Sequence, residues 1–263
     1  MNSLHFLGTA GARYVTIRQL RKSAGLWLNY NDKHLLIDPG PGTLSQLYQS
    51  SPPHNPAQLD ALLLTHRHID HSNDINILME AMSNGGKDPK GVVFAPSDAL
   101  DDDPVILHHF RDKVNFIQTI KEQNSYQLDT ITIQTPIKHH HGVETYGYTI
   151  SADNQPTISL ISDTEYFPQL NTAYQGSDIL ILNVVLTHRP HQSIQHLDLN
   201  DAQQLISSIQ PKLAIITHFG MRMLKADPKT QAQILESTTG VTTIAAYDDF
   251  LLEFDQTSIQ HTL

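Results

Sequence analysis

Ten short apolar runs, each bounded by turn-forming residues, constrain this chain more than any other feature of its sequence. They begin at Leu4 and Gly25 and occupy 34–38, 61–65, 91–95, 130–134, 158–162, 178–183, 213–217 and 241–246. Each is shorter than a buried helix needs to be and fits a strand. Helical periodicity is rarer. Ser72–Met82 aligns Ile75, Leu78, Met79 and Met82, and Asn200–Ile209 opens on an Asn cap with Leu205, Ile206 and Ile209 on one face. Many strands interleaved with few helices predict an α/β (α+β) architecture, two packed sheets covered on the outside by helices. The 263 residues fit a single domain spanning 1–263, since single α/β domains of about 250 residues are common.

Composition narrows the classes of function. Lys and Arg number 17 against 27 Asp and Glu, a net charge of −10 with no basic run, which disfavours a nucleic-acid-binding face without excluding one. The absence of cysteine removes disulfides, thiolate zinc ligands and cysteine nucleophiles. The N-terminal segment lacks the basic start and apolar stretch of a signal peptide. The longest apolar run, Ile179–Leu186, is too short to span a bilayer and is interrupted by Asn183. The expectation is a cytoplasmic protein with no membrane partner. Sixteen histidines in one chain direct the search to metal sites.

The segment ALLLTHRHIDHSNDI is the most informative. An apolar strand ends at Thr65, and His66, His68, Asp70 and His71 follow within six residues. In extended backbone i and i+2 point to one side, so His66 and His68 can converge on one ion. As the chain turns into a helix, Asp70 and His71 can aim at a second point nearby. Imidazole and carboxylate suit zinc, with iron and manganese as competitors.

This His-x-His-x-Asp-His run after a strand resembles the signature of the metallo-β-lactamase superfamily, and implies its four-layer αββα sandwich. Three further ligand segments occur in that family's order. His141 stands six residues before Gly147-Tyr148, as in the ribonuclease Z-like branch; counting back from Gly147 selects it over His139 and His140. Asp163 closes ISLISDT, where that branch places a carboxylate bridging two metals, and His218 closes LAIITHFG. The likeness runs from Phe6 to about Phe254. It implies two divalent metal ions per chain, Zn2+ first and Mn2+ or Fe2+ as alternatives. His66, His68 and His141 would hold one ion, Asp70, His71 and His218 the other, and Asp163 both. Asp38, in LLIDPGPGT, is either simple turn chemistry or a group beneath the metals that orients a ligand. Gly8 and Gly11 in FLGTAG match the family's opening loop and allow close backbone approach.

Asp70 and His196 are the expected catalytic groups. By resemblance to the phosphodiesterase-like members, His196, just before a helix, lies over the site and protonates the leaving group; the alternative is an exposed helix-start histidine. His188 and His191 read as loop residues, and Arg189 as a weak phosphate contact. The resemblance implies a dinuclear hydrolase that activates water and clamps a phosphoryl oxygen, acting on a small phosphodiester or nucleotide-like substrate. A ribonuclease Z-like tRNA 3′-endonuclease is an alternative. Against it, only 21 residues separate His141 from Asp163, leaving no room for a tRNA-binding arm, and Asn183 stands where that enzyme has a Glu. A thioester or lactone hydrolase on the same scaffold is a further alternative, and the full ligand set argues against a non-catalytic binding protein. The expected partner is a small-molecule substrate, with a homodimer left open.

Overall fold

A computed structural model describes residues 2–23, 25–191, 193–255 and 258–261. The chain forms two compact units, neither continuous in sequence. The first comprises residues 1–8, 21–120 and 248–263, the second residues 9–20 and 121–247. Each is built on one sheet, and all ten apolar runs are found as strands.

In the first unit the strand order is Ile259–His261, Phe250–Phe254, Asn2–Phe6, Leu26–Tyr30, Lys33–Ile37, Ala61–Leu63, Val92–Ala95 and Phe116–Thr119. Leu26–Tyr30 and Lys33–Ile37 form a hairpin whose two turn residues, Asn31 and Asp32, both have positive φ, the two-residue turn that matches strand twist. From Lys33–Ile37 onward the pairs are parallel, so the connections cross over the sheet, and they include the helices Thr43–Gln49 and Ile75–Met82. Leu36, Leu62, Leu64 and Val93 from the sheet pack with Leu47, Leu78 and Met79 from these helices.

The helix expected over Ser72–Met82 is divided. Ile69–Ser72 is one short helix and Ile75–Met82 the next. Asp74 breaks the run because its N–H donates to the Pro39 carbonyl and its carboxylate accepts from the Leu44 N–H. The short first helix matters, because it carries Asp70 and His71.

In the second unit the order is Thr243–Ala245, Leu213–Thr217, Ile179–Leu186, Ile158–Ile161, Tyr148–Ser151, Ile131–Thr135 and Asn124–Leu128, with Leu197–Asp198 paired to Ile179–Leu186. The first four are parallel to one another. Helices Leu199–Ile209 and Pro228–Thr239 bring Leu205, Ile206 and Leu235 against Leu180, Leu182 and Ile216. The cap of Leu199–Ile209 is Asp198 rather than Asn200. Its carboxylate accepts from the N–H groups of Asn200 and Asp201, and the Asp201 carboxylate accepts from the Asp198 N–H. This reciprocal pairing satisfies donors that a lone Asn cap would leave over. Among the described residues no helix is long and apolar enough to cross a membrane.

A hydrogen-bonded histidine pair is buried in the first unit, away from the clustered histidines of residues 66–71 in sequence. His5 Nδ1 lies 2.8 Å from His54 Nε2, and His5 Nε2 lies 3.0 Å from Asp249 Oδ1. The His54 ring stacks on Trp27, centroids 4.5 Å apart. Burial lowers both imidazoles, His54 to about 4, with His5 and His34 adding to the effect and Asp249 opposing it. Because the unfolded chain takes up these protons near the ordinary value of 6.5 while the folded one resists, stability is full above that pH and is lost as pH falls towards 4. The melting temperature is therefore expected to drop across this window. A His54→Phe variant, which keeps a ring against Trp27, should lose less. Equal losses in thermal melts of the two proteins would contradict the assignment.

Candidate functional site

The sequence-predicted ligands fall into one set in each unit. In the first unit, the strand Ala61–Leu63 delivers the chain to Thr65 and His66, both fully buried. The ring of His66 packs against His68 and His71, at centroid separations of 4.8 and 4.0 Å. Asp70 Oδ2 stands 3.9 Å from His71 Nε2. Asp38 holds these groups from below. Its Oδ1 accepts from the Thr65 N–H at 2.7 Å, and its Oδ2 accepts from the Thr65 hydroxyl at 2.7 Å and lies 2.8 Å from His71 Nδ1. Thr65 Oγ1 in turn lies 3.0 Å from His66 Nδ1. Since the hydroxyl proton goes to Asp38, Thr65 accepts from the His66 Nδ1–H, so one carboxylate fixes the tautomer of two imidazoles and leaves each Nε2 as the nitrogen that could ligate an ion. Asp38 is therefore more than a turn former. It adopts φ +51, a left-handed conformation that costs a non-glycine residue of order 1–3 kcal/mol and clusters at functional sites.

In the second unit, Asp163 follows the strand Ile158–Ile161 and is almost fully buried. Its Oδ1 accepts from the Asn183 amide at 2.8 Å and lies 3.4 Å from His218 Nε2; its Oδ2 lies 4.0 Å from His141 Nε2 and 3.5 Å from His196 Nδ1. The nearest ligand atoms of His141, Asp163 and His196 all lie within 4.8 Å of one another. The Nδ1–H of His141 donates to the Gln195 carbonyl at 3.0 Å, again leaving Nε2 for a ligand. His218 sits just past Leu213–Thr217 with φ +61. Asp163 and His218 thus leave the carboxyl ends of parallel strands, the place where open α/β sheets gather ligands.

The three consecutive histidines separate by surroundings. His139 is buried with Nε2 2.8 Å from the Tyr174 hydroxyl, and burial lowers its pKa to about 3. His140 is half exposed and stacks on Phe167. His141 places Nε2 4.0 Å from the Asp163 carboxylate. Gly147 itself is required by packing, because a Cβ there would lie 2.2 Å from the Leu160 carbonyl oxygen and 2.4 Å from the Tyr174 hydroxyl.

Gly11 has a sharper reason. A Cβ on it would lie 2.0 Å from the His218 carbonyl oxygen and 2.9 Å from the His218 ring. The two segments are tied there by Gly11 N–H to the Phe219 carbonyl and Phe219 N–H to the Thr9 carbonyl. Gly11→Ala should therefore displace His218, destabilise the fold by about 1–3 kcal/mol as overpacking does, and weaken metal binding. Unchanged melting and metal affinity would refute this role.

Arg189 does not stand ready for a phosphate. Its guanidinium is engaged by Asp201 at 2.6 Å and by the His196 carbonyl at 3.4 Å, with Glu165 at 3.9 Å, while its N–H donates to Asp198. It braces the loop that carries His196. His188 and His191 are exposed. The sequence does not reveal Thr65, Gln195 or Arg189 as supports of the site. Only the position of Thr65 directly before the histidine motif could have marked it.

The donor set fits divalent transition ions. Every group is an imidazole nitrogen or a carboxylate oxygen, and His66, His71 and His141 are oriented by a hydrogen bond on the other ring nitrogen. A family model described as a beta-lactamase superfamily domain matches residues 33–219. The Methanocaldococcus jannaschii protein MJ1374, itself described as uncharacterised, is 30% identical over 248 residues, 92% of this chain and 91% of that one. Ribonuclease Z of Nanoarchaeum equitans is 25% identical over 198 residues, 73% of this chain and 61% of the enzyme. Among solved structures, the metallo-β-lactamase fold protein YhfI from Bacillus subtilis superimposes with a TM-score of 0.79 at 19% identity, covering 95% of this chain and 98% of that one. With the family model matched over most of the chain and the fold matched, the chain belongs to the metallo-β-lactamase superfamily.

Proposed function

We propose that this protein is a dinuclear metal-dependent phosphodiesterase acting on a small phosphodiester or nucleotide-like substrate. The observation that carries the reading is the setting of Asp163, a buried carboxylate with imidazoles facing both of its oxygens, as a group shared between two ions requires. In this reading His66, His68 and His141 would hold one ion and Asp70, His71 and His218 the other. Asp163 would serve both, and Asp38 would orient the ligands beneath. Zinc is the first expectation, with manganese and iron accepting the same set. Two such ions supply Lewis acidity to a phosphoryl oxygen and lower the pKa of an attacking water.

The chain's own groups supply proton transfer. Asp70 accepts the proton released by the attacking water. His196, held by its loop with Nδ1 towards Asp163, has a second ring nitrogen with which to protonate the departing oxygen. The Arg189–Asp201 pair keeps that loop in place. The ribonuclease Z relative supports phosphodiester chemistry, and the net charge of −10 favours a small substrate over a polyanion.

Zinc- and manganese-loaded protein should be assayed against p-nitrophenyl phosphodiesters, thioesters, lactones and a precursor tRNA. Phosphodiester turnover without tRNA cleavage is the expected result. Turnover of thioesters or lactones alone would replace the reading with carbonyl hydrolysis on the same site. Cleavage of the tRNA at its 3′ side would favour the second reading, a ribonuclease Z-type endonuclease, which the Nanoarchaeum relative supports.

A further inference from the structure

Next to His141 the second unit carries a cleft of about 690 Å³, whose walls include His140, Phe167, Gln169, Gln195, Glu122 and Glu165. Its size falls within the roughly 300–1,000 Å³ of small-molecule sites. Two features limit what it can take. First, it contains a fixed ring platform. His140 stacks on Phe167 with centroids 3.9 Å apart and planes 15° from parallel; Phe167 is buried beneath, while half of the imidazole remains exposed. The backbone of His140 is pinned on both sides, its N–H donating to Thr164 Oγ1 at 3.1 Å and its carbonyl accepting from the Glu165 N–H at 3.0 Å. Glu165 Oε1 lies 3.7 Å from His140 Nδ1.

Second, the cleft is poor in positive charge. Lys138 is its one ammonium against the carboxylates of Glu122 and Glu165. The Glu122 carboxylate accepts from the Lys138 N–H at 3.1 Å, which fixes its place in the wall. With Arg189 Nη1 3.9 Å from Glu165 and one ammonium beside two carboxylates, the cleft offers a second phosphate no concentrated positive charge. An uncharged ring with polar edges would instead find a stacking face and, in Gln169 and Gln195, two side-chain amides that both donate and accept. Gln195 also holds His141 through its carbonyl, so the cleft is joined to a proposed ligand by one residue.

We infer that this cleft receives an uncharged planar heterocycle attached to the scissile phosphodiester, a nucleoside base being the fitting class, and that it disfavours a second phosphate. The inference rests on the phosphodiesterase reading and refines it. Stacking on a ring platform is sequence-tolerant and commonly decides affinity among such ligands, so different bases should be accepted.

The test compares adenosine 2′,3′-cyclic phosphate with methyl ribofuranoside 2,3-cyclic phosphate, which has the same reacting ring but no base. Metal-loaded protein should show kcat/KM at least on the order of tenfold higher for the base-bearing ester. His140→Ala should bring the ratio towards one, and His140→Phe, which restores a ring, should keep it. Hydrolysis of both esters at equal kcat/KM would overturn the cleft assignment and leave the phosphodiesterase reading standing. Hydrolysis of neither would remove the phosphodiesterase reading. Calorimetric titration with adenosine and with ribose would then decide the cleft. Tighter binding of adenosine that His140→Ala abolishes supports the platform, and equal binding of the two refutes it.

Discussion

Replacing Asp163 by Ala should strip both metal ions from the protein and reduce activity beyond the roughly 10–100-fold that loss of an outer hydrogen-bonding partner costs. The reason lies in what surrounds this carboxylate. His218 faces one oxygen, and His141 and His196 face the other, with Asn183 donating to the first. Removing it leaves clustered imidazoles whose lone pairs are no longer balanced by a negative charge, and two bound cations would repel each other across the gap. Asp163→Asn should give much the same loss, since shape is kept but charge is not. Elemental analysis after dialysis checks this, together with kcat/KM on a phosphodiester. A variant that retains two ions at wild-type affinity would show that Asp163 is not shared.

His196→Ala should behave differently, keeping both ions while kcat falls on the order of 10²–10⁴-fold for a poor leaving group. The loss should shrink for p-nitrophenolate, which departs without a proton. Equal losses for both leaving groups would reject general acid catalysis and point to substrate positioning, seen as a raised KM. Loss of an ion would instead make His196 a ligand, which its place beside His141 and Asp163 permits. Removing the guanidinium of Arg189, the brace on the His196 carbonyl and the capping Asp201, should reproduce part of the same leaving-group dependence.

The parts of this protein that were legible in its sequence are those written contiguously. Apolar runs give strands because one buried side of a sheet imposes its pattern on neighbouring residues. The run from His66 to His71 is readable because a strand end and one helical turn place its candidate ligands within six residues. Strands with little burial left no such pattern; Asn124–Leu128 is mostly exposed and is not among the ten apolar runs. Contacts between distant segments were also hidden. The collision that forbids a side chain on Gly11 comes from His218, and Asp249 meets His5 from near the other end of the chain. The choice among His139, His140 and His141 could be approached by counting. Its physical basis, a Tyr174 hydroxyl for the first ring and Phe167 for the second, appears only in three dimensions.

We propose that His66, His68, Asp70, His71, His141, Asp163 and His218 serve one pair of ions. A crystal structure of the manganese-loaded protein, with ions located by anomalous scattering, tests it most directly. The expected result is two peaks about 3.5–4 Å apart, joined by Asp163. A single ion held by His141, Asp163 and His196, with His66, His68 and His71 left unligated, would contradict it.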